Sequence, residues 1–93
     1  MTEDIISVPS ILASRFGGNR EFKASANTLR DLINVLTQTY SNTVTDALLD
    51  SEGNLKPVIN IYLNGKNINF LGGLDTSFKN GDKIYIMPAI AGG

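Results

Sequence analysis

Residues 80–93 read Asn80-Gly81-Asp82-Lys83-Ile84-Tyr85-Ile86-Met87-Pro88-Ala89-Ile90-Ala91-Gly92-Gly93. From Lys83 to Met87 the stretch alternates, with Ile84 and Ile86 facing one way and Tyr85 and Met87 the other. A period of two belongs to a strand whose faces meet different surroundings. The Asn80-Gly81-Asp82 turn opens it. Pro88 has no N–H to give to a ladder and closes it. Four of the last five residues are Ala or Gly, a composition suited to a tether and not to a core. The chain therefore reads as a domain over residues 1–88 and a flexible tail over 89–93.

Working back from that strand, Val58 to Leu63 places Ile59, Ile61 and Leu63 opposite Asn60 and Tyr62. Asn64-Gly65 is a hairpin signal, because both central residues of a type I′ turn need positive φ. Lys66 to Phe70 reads as the returning strand, with Ile68 and Phe70 on one side, and Gly72-Gly73 as a further turn. Upstream, Thr28 can cap a helix whose third residue onward is Asp31, a capping-box-like pattern. Leu29, Leu32, Ile33, Leu36 and Tyr40 fall on one stripe of that helix. Ser41 to Pro57 is less regular, with a short helical turn at Val44, Leu48 and Leu49 and a polar loop over Asp50 to Asn54. At the N-terminal side, residues 5–12 read as a strand with Pro9 at a bulge or an unpaired position. Gly17-Gly18-Asn19 reads as a turn, and Arg20 to Ala26 as a half-buried strand with Phe22 and Ala24 inward; together they predict a hairpin. A helix that follows a hairpin must lay its apolar stripe on the sheet. The expected class is α+β, a mixed sheet packed on one main helix.

Composition narrows the function. Ninety-three residues suffice for one modest core. Eight basic against nine acidic residues, with no basic run, argue against nucleic acid as a partner. No apolar run approaches the roughly 20 residues of a membrane span. The start Met1-Thr2-Glu3-Asp4 is acidic, unlike a secretory signal, so the cytoplasm is the expected compartment. With no Cys and no His, neither a thiol nucleophile, a Ser-His relay nor a Cys-based metal site can be assembled. The acids are scattered, with no pair in an apolar setting to divide acid and base roles. The chain is expected not to be an enzyme and to bind no metal or cofactor of its own.

What remains is the tail. By average glycine usage a terminal Gly-Gly is about a one-in-two-hundred coincidence, but here it follows a strand that stops at a proline. Without Cβ atoms, Gly92 and Gly93 can thread a narrow channel, and the tip offers an unhindered carboxylate. Taken together, the element order, Gly81-Asp82, Ile84 to Met87, Pro88 and Ala89-Ile90-Ala91-Gly92-Gly93 resemble the ThiS/MoaD family of ubiquitin-like β-grasp sulfur carriers. Within it, Ser7-Val8-Pro9-Ser10-Ile11-Leu12 before Gly17-Gly18, Asn60 to Asn64, Phe70 to Leu74 and Met87 to Gly93 resemble the type used in cysteine biosynthesis.

The resemblance implies a β-grasp fold and a working group at the Gly93 carboxylate. An E1-like partner using ATP and magnesium would adenylate it, and a sulfur donor would then convert it to a thiocarboxylate. The implied acceptor is a PLP-dependent, cysteine-synthase-like enzyme, the PLP being the partner's. Gly92, Ala91, Ile90, Ala89 and Pro88 would thread into the partner, with Ile90 making an apolar contact inside it. Tyr85 and Met87 would either form an exposed docking surface or pack against a neighbouring loop. Three alternatives stay open. One is the small subunit of molybdopterin synthase, acting on that enzyme's large subunit. The second is a ubiquitin-like modifier conjugated to lysine, and the third a plain interaction domain with an inert tail. The free chain is expected to be a monomer. Phe70 and Leu71 read as core or loop packing, Tyr62 as half-exposed, and Lys23, Lys56, Lys66, Lys79 and Lys83 as solvated. Gly72-Gly73-Leu74-Asp75 lacks the phosphate-loop pattern and reads as a turn.

Overall fold

The computed structural model describes residues 3–88. Strand β1 (Asp4–Ser7) pairs antiparallel with β2 (Glu21–Ala24) and parallel with β5 (Lys83–Pro88). Strand β3 (Ile59–Leu63) pairs antiparallel with β5 and with the two-residue β4 (Lys66–Asn67). The order across the sheet is β2-β1-β5-β3-β4. The last strand thus sits at the centre, between the first strand and the third. With the main helix α2 (Leu29–Thr39) against one face, this is the mixed sheet on one main helix expected from the element order, and the β-grasp fold that the resemblance implies.

Helix α2 forms where its stripe and cap say it should. The Thr28 hydroxyl accepts the Asp31 N–H at 3.2 Å. Leu29, Leu32, Ile33 and Leu36 are buried against Ile6, Ile61, Ile84 and Ile86 of the sheet. Tyr40 follows at the helix C-terminus and meets Phe16 and Phe22 edge-on, with ring centroids 5.9 and 5.6 Å away.

Three expectations change. The predicted strand over residues 5–12 stops at Ser7; Ser10–Ala13 is a short helix, α1, continued as a 3-10 turn over Ser14–Phe16. Pro9 has a fixed φ and no N–H to lose, which suits it to a helix start better than a strand. The turn swings Phe16 into the core beside Phe22, at 5.3 Å. Strands β1 and β2 therefore pair as a hairpin would, but across a helical excursion and not through Gly17-Gly18-Asn19 alone. Gly17 ends the excursion at φ 67°, where a side chain would be strained and pressed onto the Tyr40 ring.

The segment 41–57 holds a true helix, α3 (Asn42–Leu48), started by the Ser41 hydroxyl accepting the Thr43 N–H. Val44 and Leu48 are buried, and a 2.7 Å hydroxyl contact between Thr37 and Thr45 ties α3 to α2. Finally, the strand read over 66–70 ends at Asn67. The Asn67 side-chain carbonyl accepts the Asn69 N–H at 2.9 Å and folds Ile68–Phe70 into a 3-10 turn. Ile68 is buried, but Phe70 points out.

Candidate functional site

The geometry that matters is where β5 leaves the sheet. Its alternation is realised as read: Ile84 and Ile86 are sealed under α2, while Tyr85 and Met87 are 43% and 42% exposed on the opposite face. Both side chains are therefore partly open to solvent on that face. Tyr85 lies between Ser7 of β1 and Tyr62 of β3, and Met87 lies opposite Asn60. Tyr62 is half-buried, as expected. Pro88 is the last strand residue and stands opposite Ile59. Beyond it, Ala89, Ile90, Ala91, Gly92 and Gly93 lie outside the described residues, so the threading contacts read from the sequence lie there too.

An open groove of about 480 Å³ runs beside this exit. Its walls are Ser7, Val8 and Pro9 from the end of β1, Arg20 and Glu21 from the start of β2, and Tyr85 and Met87 from β5. These meet because β1 and β5 run parallel, which brings their C-terminal ends to the same edge of the sheet. Its lining joins the apolar Val8, Pro9, Tyr85 and Met87 to one charge of each sign, Arg20 and Glu21. The side chains gathered here can bind and orient. Among the described residues, no three His, Cys, Asp or Glu side chains group as a metal site.

The sequence reading missed two members of this apolar end. Ile11, 74% exposed, stands on α1 two residues after Pro9, and Val58, 59% exposed, directly precedes β3 at the Pro88 end. Both left a signal. Ala13 and Phe16 are three apart, a helical spacing that turns Ile11 outward. Val58 shares the phase of Asn60 and Tyr62, the outward set. Conversely, Phe70 and Leu71 are not core: Phe70 is 88% exposed, Leu71 is also exposed, and neither lines the groove. Of the lysines, Lys23, Lys66, Lys79 and Lys83 are exposed. Lys56 is half-buried, and its ammonium donates to the Asp46 carbonyl.

Residues 14–93 match the ThiS family, a span that includes β5 and the tail beyond it. The chain belongs to the ThiS family. At the sequence level it is 40% identical over 90 residues to the sulfur carrier protein CysO of Mycobacterium tuberculosis, covering 95% of this chain and 96% of that one. Among solved structures it superposes on the Amycolatopsis orientalis BexX/CysO complex with a TM-score of 0.87 at 32% identity, covering 97% and 99% of the two chains. It also superposes on small archaeal modifier protein 1 of Methanosarcina acetivorans, with a TM-score of 0.81 at 30% identity and coverage of 100% and 98%. The superpositions show a shared β-grasp fold. No helix among the described residues is long and apolar enough to cross a membrane.

Proposed function

We propose that this ThiS-family chain is a sulfur carrier whose reacting group is the Gly93 carboxylate. The observation that carries the reading is the match to CysO-type carriers along nearly the whole chain, in a family whose pattern runs through Gly92 and Gly93. The geometry supports it. The central strand β5 ends at Pro88, the residue before the tail in sequence, beside a groove and an exposed apolar face that a partner can grip.

The chemistry follows from the carboxylate. A carboxylate oxygen of Gly93 attacks the α-phosphorus of ATP, with magnesium held by an E1-like partner, and pyrophosphate leaves. The acyl-adenylate so formed is an activated electrophile. A sulfide-level donor adds at the carbonyl carbon, the C–O bond to AMP breaks, and a thiocarboxylate remains. That sulfur is a better nucleophile than the oxygen it replaced, and it passes to an acceptor enzyme. By the CysO likeness the acceptor is a PLP-dependent, cysteine-synthase-like enzyme, and the carrier works in the cytoplasm. In this scheme Tyr85, Met87, Pro88 and the groove hold the partner, while Ala89 to Gly92 thread the tip into its active site. The chain catalyses nothing itself.

A second reading has its own support. The likeness to small archaeal modifier protein 1 favours a modifier whose Gly93 is joined to a lysine. Both readings share the adenylate and separate after it. Intact-protein mass spectrometry after incubation with ATP, magnesium, a sulfur source and a cognate adenylating enzyme decides between them. A mass gain equal to sulfur replacing oxygen is expected. Adenylate without that exchange, together with higher-mass conjugates, would replace the carrier reading with the modifier.

A further inference from the structure

At the opposite end of β5 from the tail, the fold buries a carboxyl group that no part of the proposed function uses. Asp4 is in phase with Ile6 on β1, so alternation turns it toward the core, and it is fully buried. Neither of its carboxyl oxygens receives a hydrogen bond of good geometry; the Asp82 backbone N–H, which pulls weakly on the carboxylate, donates instead to the Lys79 carbonyl at 3.1 Å. Its cross-strand neighbour on β2 is Ala24, which offers nothing polar. An ionised, unpartnered carboxylate is among the most costly groups to bury, and the ordinary escape is to hold a proton.

The surroundings are tightly hydrogen-bonded and, among the described residues, leave no cation for Asp4. The Ile5 N–H donates to the Asp82 carbonyl at 2.9 Å and the Gly81 N–H to the Glu3 carbonyl at 2.8 Å, closing β1 onto the turn before β5. The Asp82 carboxylate accepts from the Lys79 N–H at 2.7 Å and from the Asn64 amide at 3.0 Å. Among the described residues, the charged groups on the neighbouring elements point or pair elsewhere. On β2, Lys23 stands out of phase with Ala24, on the other face. On β5, Lys83 pairs beside Ile5, out of phase with Asp4. Glu3 and Lys79 are exposed, as is Asp31 at the start of α2, and Arg30 there pairs with Asp75 at 3.3 Å. The charge that does reach Asp4 is of its own sign, from Asp82.

We propose that Asp4 is a proton-operated latch on this closed end of the sheet: neutral, it lets β1 seat against the 80–82 turn; ionised, it favours opening there. Burial chiefly, and the Asp82 carboxylate second, push Asp4 up to about 6 from 3.8, against a weaker opposing pull from the Asp82 backbone N–H. Between those two values the folded chain keeps a proton that the opened chain has lost. Stability from this group is therefore complete below about pH 4, falls as pH rises through the window, and stays at its lower level above it. That is the reverse of the usual behaviour of a carboxylate held by a cation.

Two measurements on the full chain test this. The Asp4 carboxyl carbon, followed by NMR, should titrate near pH 6. Hydrogen exchange at the Ile5 and Gly81 amides, corrected for intrinsic rates, should show the opening constant rising between pH 4 and pH 7.5. Relative to Asp4→Asn, the rise should be on the order of fiftyfold. Superimposable pH profiles for wild type and Asp4→Asn would overturn the latch, as would an Asp4 carbon titrating at an ordinary carboxylate pH. Should Asp4→Asn not fold, the carboxyl-carbon titration of the wild-type chain decides alone.

Discussion

The two ends of β5 are built on opposite plans. At Lys83 the strand begins inside a lattice of short contacts: Asn64 accepts the Lys83 N–H at 2.9 Å through its side chain and donates its own N–H to the Lys83 carbonyl at 2.8 Å. The same Asn64 amide reaches Asp82 at 3.0 Å, and Asn80 and Gly81 bind Glu3 from both sides. At Pro88 the ladder stops for want of an N–H, and what surrounds the exit is an open groove and exposed Tyr85, Met87 and Val58. One end uses its polar groups inside the fold; the other leaves apolar groups exposed, which in the proposed function a partner grips. A carrier needs both, since a tail can be threaded into another protein only if the strand behind it does not yield.

The largest effect should come from deleting Gly93. Adenylation by the cognate enzyme is expected to vanish, while the thermal melt stays within a degree or two. A truncated chain that is still adenylated would show that the reaction does not require Gly93 itself. Next is Ile84→Ala, at the closed end and fully buried opposite Ile6. It should cost about 2–5 kcal/mol in a denaturant titration, with partner affinity retained by whatever fraction stays folded. Met87→Asp should reverse that pattern. Partner affinity, read by calorimetry, should fall on the order of tenfold or more, while stability changes by about 0.5 kcal/mol or less, because the side chain is already partly in water. A Met87→Asp chain that binds normally would leave the open end without its assigned purpose.

Asn64→Ala should have a smaller effect, and on stability alone. Asn64 sits at φ 51°, and Ala tolerates that region less well. Both its side-chain bonds would also go. Together these should cost about 1–2 kcal/mol, with adenylation rates unchanged at temperatures where the chain is folded.

Much of this contrast is legible in the sequence. The phase of Ile84 and Ile86 against Tyr85 and Met87 fixes which face meets the helix. Thr28 with Asp31 marks the helix start, Asn64-Gly65 the hairpin, and Pro88 the exit. The failures have local causes. Ile5 to Leu12 is apolar enough to read as one strand, and only the helix-starting property of Pro9 and the spacing of Ala13 and Phe16 divide it. Lys66 to Phe70 alternates like a strand until the Asn67 side chain captures the Asn69 N–H, a bond that periodicity does not see. Asp4 sits in phase with the core, but its burial depends on β2 and on the turn at Asp82, which are distant in sequence. The groove is harder still. It is made by the parallel pairing of β1 with β5, and Arg20 and Glu21 carry no mark of belonging to it.

The smallest effect is expected at Phe70, the test of whether exposure alone makes a docking site. Phe70 is more exposed than Tyr85 or Met87, so a rule based on exposed apolar area would rank it first. Position argues otherwise. It follows the edge strand β4, on the 3-10 turn that Asn67 holds, and takes no part in the groove beside the tail. Phe70→Ser removes almost no buried surface, so its effect on stability should stay within about 0.5 kcal/mol. Adenylation and partner affinity should match wild type, measured beside Met87→Asp in the same assays. If Phe70→Ser weakened the partner as Met87→Asp does, the gripping surface would extend around the β4 edge. The division between a closed and an open end of β5 would then give way to a partner that encloses the sheet on both sides.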